Sequence, residues 1–79
     1  MSGMVERLCR AMLVQRGFDP DQYPGLIKDV EPEVRVLLAE MREPTEAMVR
    51  AVPYDMYDPD FAENWRDMID QALREPISL

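Results

Sequence analysis

Apolar positions recur along this chain at intervals of three and four, the period of a helix packed on one face, and no stretch alternates as a strand would. Val5, Leu8, Cys9, Met12 and Leu13 form the first stripe and predict a helix over residues 4–16. Gly17 follows directly, where glycine enters the left-handed region of a helix C-cap at no steric cost. A connector comes next. Its Asp19-Pro20 and Pro24-Gly25 pairs mark turns, and Leu26 and Ile27 are expected to plug it into the core. Val34, Leu37, Leu38 and Met41 fall at i, i+3, i+4 and i+7. They predict a second helix that opens near Pro32, whose missing N–H has no helical partner in a first turn. Pro44 closes it.

A short third helix is expected over residues 45–51, with Thr45 at its start, Ala47, Met48 and Ala51 turned inward, and Pro53 beyond its end. The fourth stripe, Phe61, Trp65, Met68, Ile69 and Ala72 with Leu73 at its edge, is the best defined. Asp58 stands where an N-cap belongs and Pro59 at the first helical position, while Asp60 and Glu63 place negative charge in the first turn. Arg74 lies near the last carbonyls and Pro76 ends the element. Glu6 with Arg10, Glu31 with Arg35, Glu46 with Arg50 and Asp70 with Arg74 each set an acid four residues before a base. That order favours a helix by about 0.2–0.5 kcal/mol per pair. The reading is all-α: a small bundle of three to four helices, forming a single acidic domain over residues 1–79. A core of this size is modest, since about 60 residues is where a single core becomes marginal.

Charge changes the picture more than composition does. The chain carries a net charge of −7 and no histidine. Residues 1–18 sum to +2 (Arg7, Arg10 and Arg16 against Glu6), residues 19–34 to −4, residues 35–50 to zero and residues 51–79 to −5. Such a chain repels nucleic acid and anionic membranes and is attracted to basic surfaces. The apolar runs are too short to cross a bilayer, and the charged N-terminal stretch does not read as a secretory signal. A single cysteine rules out an internal disulfide and a cysteine zinc site, so a reducing cytoplasm is expected.

The same inventory argues against catalysis. There is no histidine to act as base near neutral pH, and Ser2 and Ser78 sit at the termini. Thr45 is explained as a cap. Cys9 falls on the apolar face of the first helix and reads as a small buried hydrophobe. The carboxylates are expected on polar faces, without the burial that raises a general acid's pKa. Asp55, Asp58 and Asp60 lack the glycine and glutamate of a calcium loop, so no metal or cofactor is expected. A strip of Arg7, Arg10 and Arg16 is the sole basis for direct nucleic-acid contact, and the overall field opposes it. The methionines read as core filler.

One segment stands apart. Tyr54, Asp55, Tyr57, Asp58 and Asp60, with Glu63 just beyond, interleave aromatics and acids ahead of the fourth helix. Either the tyrosines fold over the core in an ordinary connector, or this is a recognition loop in which aromatics give contact area and acids select a basic partner. Asp19, Asp21 and Tyr23 repeat the combination on the first connector.

The run Ala39-Glu40-Met41-Arg42-Glu43-Pro44-Thr45-Glu46-Ala47-Met48 resembles a segment of small proteins encoded by phages and prophages of GC-rich bacteria. The early Val5-Glu6-Arg7 and the later Trp65-Arg66-Asp67-Met68-Ile69-Asp70-Gln71-Ala72-Leu73 are similar as well. Typical members carry a Gly-rich, aromatic connector between the first helices. Here Tyr23-Pro24-Gly25-Leu26-Ile27 departs from it, which points to the connectors as the place where this chain's own function lies. In size, acidity and phage-like character the chain also resembles anti-CRISPR proteins, specifically inhibitors of type I, including type I-C, surveillance complexes (Cascade). The resemblance implies a DNA mimic that occupies a basic subunit surface of such a complex, acting as a monomer. A self-associating structural or accessory phage protein is the alternative.

Overall fold

The computed structural model describes residues 3–51 and 60–77. Four helices follow one another: α1 (Met4–Gln15), α2 (Gly25–Glu40), α3 (Glu46–Arg50) and α4 (Phe61–Arg74), with no strand among the described residues. The first stripe does what its spacing demands. Val5, Cys9 and Leu13 of α1 are buried, with Leu8 and Met12 packed at the margin. α1 ends in a Schellman motif: Gly17 takes φ +89°, its N–H donates to the Val14 carbonyl, and the Phe18 N–H reaches back to the Leu13 carbonyl.

α2 is longer than its pattern predicts. It starts at Gly25, so Pro32 lies inside the helix and not in its first turn. Burial explains the difference. Ile27, fully buried, and Val30 continue the stripe of Val34 and Leu38 by two turns, and joining them in one helix seats all four against α1. Ile27 does plug the connector into the core, as a helical residue. Leu37 is over half exposed, outside the core.

α3 stands off the core. Thr45 caps it by accepting the Met48 N–H at 3.1 Å, as its residue type predicts, but none of its residues is buried. Ala47, Met48 and Ala51, expected to face inward, are exposed. A five-residue helix between two prolines has too little face to choose a side.

α4 packs on both long helices but, among the described residues, contributes a single buried one, Ile69, with Trp65, Ala72 and Leu73 at the margin. Polar latches supply the rest. The Trp65 indole N–H donates to the Met41 carbonyl, and Arg35 Nη1 donates to the Leu73 carbonyl at 2.6 Å, where a cation also meets the negative end of the helix. Arg42 grips Asp70: Nε lies 2.7 Å from Oδ1 but off the hydrogen-bond axis, and Nη2 donates to Oδ2 at 3.2 Å. Asp70 is thus claimed across the fold by Arg42. The other three sequence pairs, Glu6 with Arg10, Glu31 with Arg35 and Glu46 with Arg50, form as their spacing predicts. Asp58 and Pro59, read as the start of this helix, lie outside the described residues.

Two expectations about surface and core fail. Met41, Met48 and Met68, read as core filler, are 47%, 43% and 65% exposed. Glu6, placed with the other carboxylates on a polar face, is 4% exposed. It stands three residues before Cys9 and seven before Leu13, hence on the buried stripe, and Arg10 covers it at 3.4 Å.

Candidate functional site

The connector between α1 and α2 is the best-built exposed surface among the described residues. Its backbone is fixed locally. The Asp19 carbonyl accepts the N–H groups of Gln22 and Tyr23, the Asp19 carboxylate accepts the Asp21 N–H at 2.9 Å, and Pro20 is buried beneath. Two ion pairs brace it against the helices. Arg10 Nη1 donates to Asp21 at 2.8 Å, and Arg16 Nη2 reaches Glu33 of α2 at 3.2 Å. The hydrogen bond that Arg10 donates to the Asp21 carboxylate raises the pKa of its guanidinium.

On this frame Phe18 and Tyr23 meet edge to face, with ring centroids 6.5 Å apart and planes at 85°. Their exposures are 47% and 50%. Aromatic pairs of this geometry stabilise one another beyond their buried area, which holds both rings in place while half of each stays open. Asp19 is exposed beside them. Fixed aromatics lose little entropy on docking, and adjacent negative charge selects a basic counterpart.

The site residues expected from the sequence divide accordingly. Asp19, Asp21 and Tyr23 are brought together, with Asp21 occupied as a brace for Arg10. Asp60 and Glu63 are exposed at the start of α4, Asp60 as its N-cap residue without a side-chain cap bond. Tyr54, Asp55, Tyr57 and Asp58 lie outside the described residues. Phe18 was missed. Its signal was available, because it occupies the position after the capping glycine, next to the acidic turn.

Two members of the arginine strip are held in ion pairs, while Arg7 is exposed. Arg10 is taken by Glu6 and Asp21, and Arg16 by Glu33. Cys9 is fully buried. Burial, then the nearby Glu31 carboxylate, pushes its thiol pKa up, so little thiolate exists at neutral pH. At the far side of the fold, Arg66 grips Glu43 through two hydrogen bonds of 2.8 and 2.9 Å, which lowers the Glu43 carboxyl below the usual range and raises Arg66. Among the described residues, no three acidic, cysteine or histidine side chains converge to hold a metal ion, and no helix is long and apolar enough to cross a membrane. Compared with known proteins, the chain matches no family model, no curated protein and no solved structure.

Proposed function

We propose that this chain is a binding protein without catalytic chemistry of its own. It acts as an inhibitor of the anti-CRISPR kind, docking an acidic face on a basic, nucleic-acid-binding surface of a type I surveillance complex and blocking target DNA. The observation that carries the reading is the half-exposed Phe18–Tyr23 pair held beside Asp19 on a braced connector. Charge supports it. Among the described residues, Arg10, Arg16, Arg35, Arg42, Arg50 and Arg66 close ion pairs within the chain. Exposed Asp19, Asp29, Glu40, Glu63 and Asp67 leave the surface strongly negative. In this reading the carboxylates meet lysines and arginines that otherwise hold phosphates, and the two rings act as central anchors.

The test is a competition assay with purified type I-C surveillance complex and its fluorescently labelled target duplex. Wild-type chain should exclude the duplex, with an effect that weakens steeply as salt rises, since exposed charges are screened beyond about 8 Å at physiological ionic strength. The Phe18→Ala/Tyr23→Ala double variant should lose about tenfold or more in affinity through faster dissociation, and Asp19→Asn should slow association. If wild-type chain leaves duplex binding untouched, that target is wrong. If the variants inhibit as well as wild type, the connector is not the contact.

A further inference from the structure

The two rings of the connector form a platform that the chain itself leaves empty. Phe18 and Tyr23 meet at 85°, and a perpendicular pair covers at most one face of one ring. Among the described residues no cation of this chain, Lys28 of α2 included, stacks on either ring. Arg10 and Arg16, which reach out of α1 toward the connector, are engaged by Asp21 and Glu33. Asp19 stands one turn before Tyr23. The Tyr23 N–H donates to the Asp19 carbonyl at 3.0 Å, the bond of a helical turn, and residues so related lie side by side, about 5–6 Å apart at Cβ. Oδ1 of Asp19 is fixed by the Asp21 N–H, whereas Oδ2 has no partner among the described residues and faces solvent with the rest of this exposed side chain.

We propose that this corner grips one arginine side chain of the partner protein, its guanidinium plane stacked on Tyr23 and its N–H edge donating to Asp19. The inference rests on the reading of the connector as the docking surface, and it names what that surface holds. Charge selects a cation. The charged residues of 17–25 are Asp19 and Asp21, and Arg10 cancels the second, which leaves one negative group for one positive group. A nucleobase would stack on the same ring, but its phosphate would meet Asp19. An apolar side chain would cover the carboxylate without offering it a donor.

Shape then selects arginine over lysine. A guanidinium is flat and weakly hydrated, so it lies on a ring face while its in-plane N–H groups still point at a carboxylate. An ammonium has no flat face and holds its water more strongly. The corner is also built before the partner arrives. The turn hydrogen bonds, the buried Pro20 and the Arg10–Asp21 brace keep ring and carboxylate in register, so little ordering cost falls on docking.

The experiment titrates the full chain with two blocked dodecapeptides of equal charge, one alternating glycine with arginine and the other glycine with lysine. Calorimetry gives the affinities, and ring-proton NMR shifts of Phe18 and Tyr23 locate the contact. The arginine peptide should shift both rings and bind at least about threefold tighter than the lysine peptide. Tyr23→Leu keeps apolar area but loses the π face and should erase that ratio, whereas Tyr23→Phe should retain it. Asp19→Asn should reduce the ratio toward one. Asp67→Asn, on exposed α4 surface, should weaken both peptides alike and leave the ratio as it was. Far-UV circular dichroism confirms that each variant keeps its helices. Equal affinity for the two peptides, or a ratio that survives Tyr23→Leu, would overturn the proposal. Ring shifts caused by single-stranded oligothymidylate and not by the arginine peptide would do the same. The two readings fail separately: an arginine preference in a chain that leaves the type I-C duplex untouched overturns the inhibition alone, and inhibition by a chain without that preference overturns the arginine corner alone.

Discussion

Replacing Pro32 with alanine should stabilise this protein. Pro32 is the eighth residue of α2, where a proline has no N–H for the Lys28 carbonyl and its ring crowds that group. Both residues are exposed, so the substitution disturbs no packing. In a helix interior proline is about 3 kcal/mol worse than alanine. One effect trims the gain: alanine gives the unfolded chain more freedom, worth about 0.4–1 kcal/mol. A net gain of about 2 kcal/mol remains. A domain this small shifts by about 4–8 °C per kcal/mol, so its melting temperature should rise by roughly 8–16 °C, with a matching increase in urea midpoint. The experiment separates two helices. If α2 began at Pro32, as the apolar spacing alone indicates, proline would occupy its preferred first position and alanine would be neutral or harmful. An unchanged or lowered melting temperature therefore refutes the helix from Gly25.

Three further outcomes are expected. Trp65→Phe keeps most of the ring but loses the hydrogen bond to Met41, costing about 0.5–1.5 kcal/mol in urea denaturation, against about 3 kcal/mol for Trp65→Ala at this half-covered site; equal losses would show that the indole N–H contributes nothing. Cys9 should react with an alkylating reagent at neutral pH far more slowly in native than in urea-unfolded protein, because burial suppresses both access and thiolate; prompt reaction of the native form contradicts its place in the core. The folded-state pKa of Glu43 is depressed, so the pair with Arg66 contributes fully above the unfolded value near ~4.3 and fades as pH falls through the lower folded value. Glu43→Gln should flatten that acid limb of the stability curve, and an identical limb in the variant would exclude the pair as its source.

How far the residues announce this structure depends on whether a feature is local. The stripe of Val5, Cys9 and Leu13, the glycine cap at Gly17, the Thr45 cap and three of the four spaced ion pairs are decided within one helix turn, and all are legible. The start of α2 was misread because a proline's local preference competes with burial of Ile27 and Val30, and two turns of packed apolar surface outweigh one unfavourable residue. Glu6 shows the limit of counting polar residues as surface, since its spacing puts it on the buried stripe and its base at i+4 makes burial tolerable. Asp70 chose Arg42 over Arg74 for a reason that no local window holds: α4 needs a tie to the end of α2. The connector's acids and Tyr23 could be picked out, but their rigidity could not. It arises from Arg10 and Arg16 reaching out of α1 to Asp21 and Glu33.

The arginines link stability to the proposed role. α4 has a single buried residue, Ile69, so a chain this small relies on side chains that can bond at a distance. Arginine is suited to that, because its planar fork meets a carboxylate or carbonyl through several donors while its stem covers apolar surface. Eight of the nine cations are arginine, and every ion pair described uses one. Each pair holds the fold and neutralises one carboxylate along with one guanidinium, so the net charge of −7 rests on the acids left over. Arg42→Lys tests the link at one point: the charge is kept and the fork is lost. If the geometry of the latch matters, α4 loosens while the net charge, and with it the salt dependence of docking, stays the same.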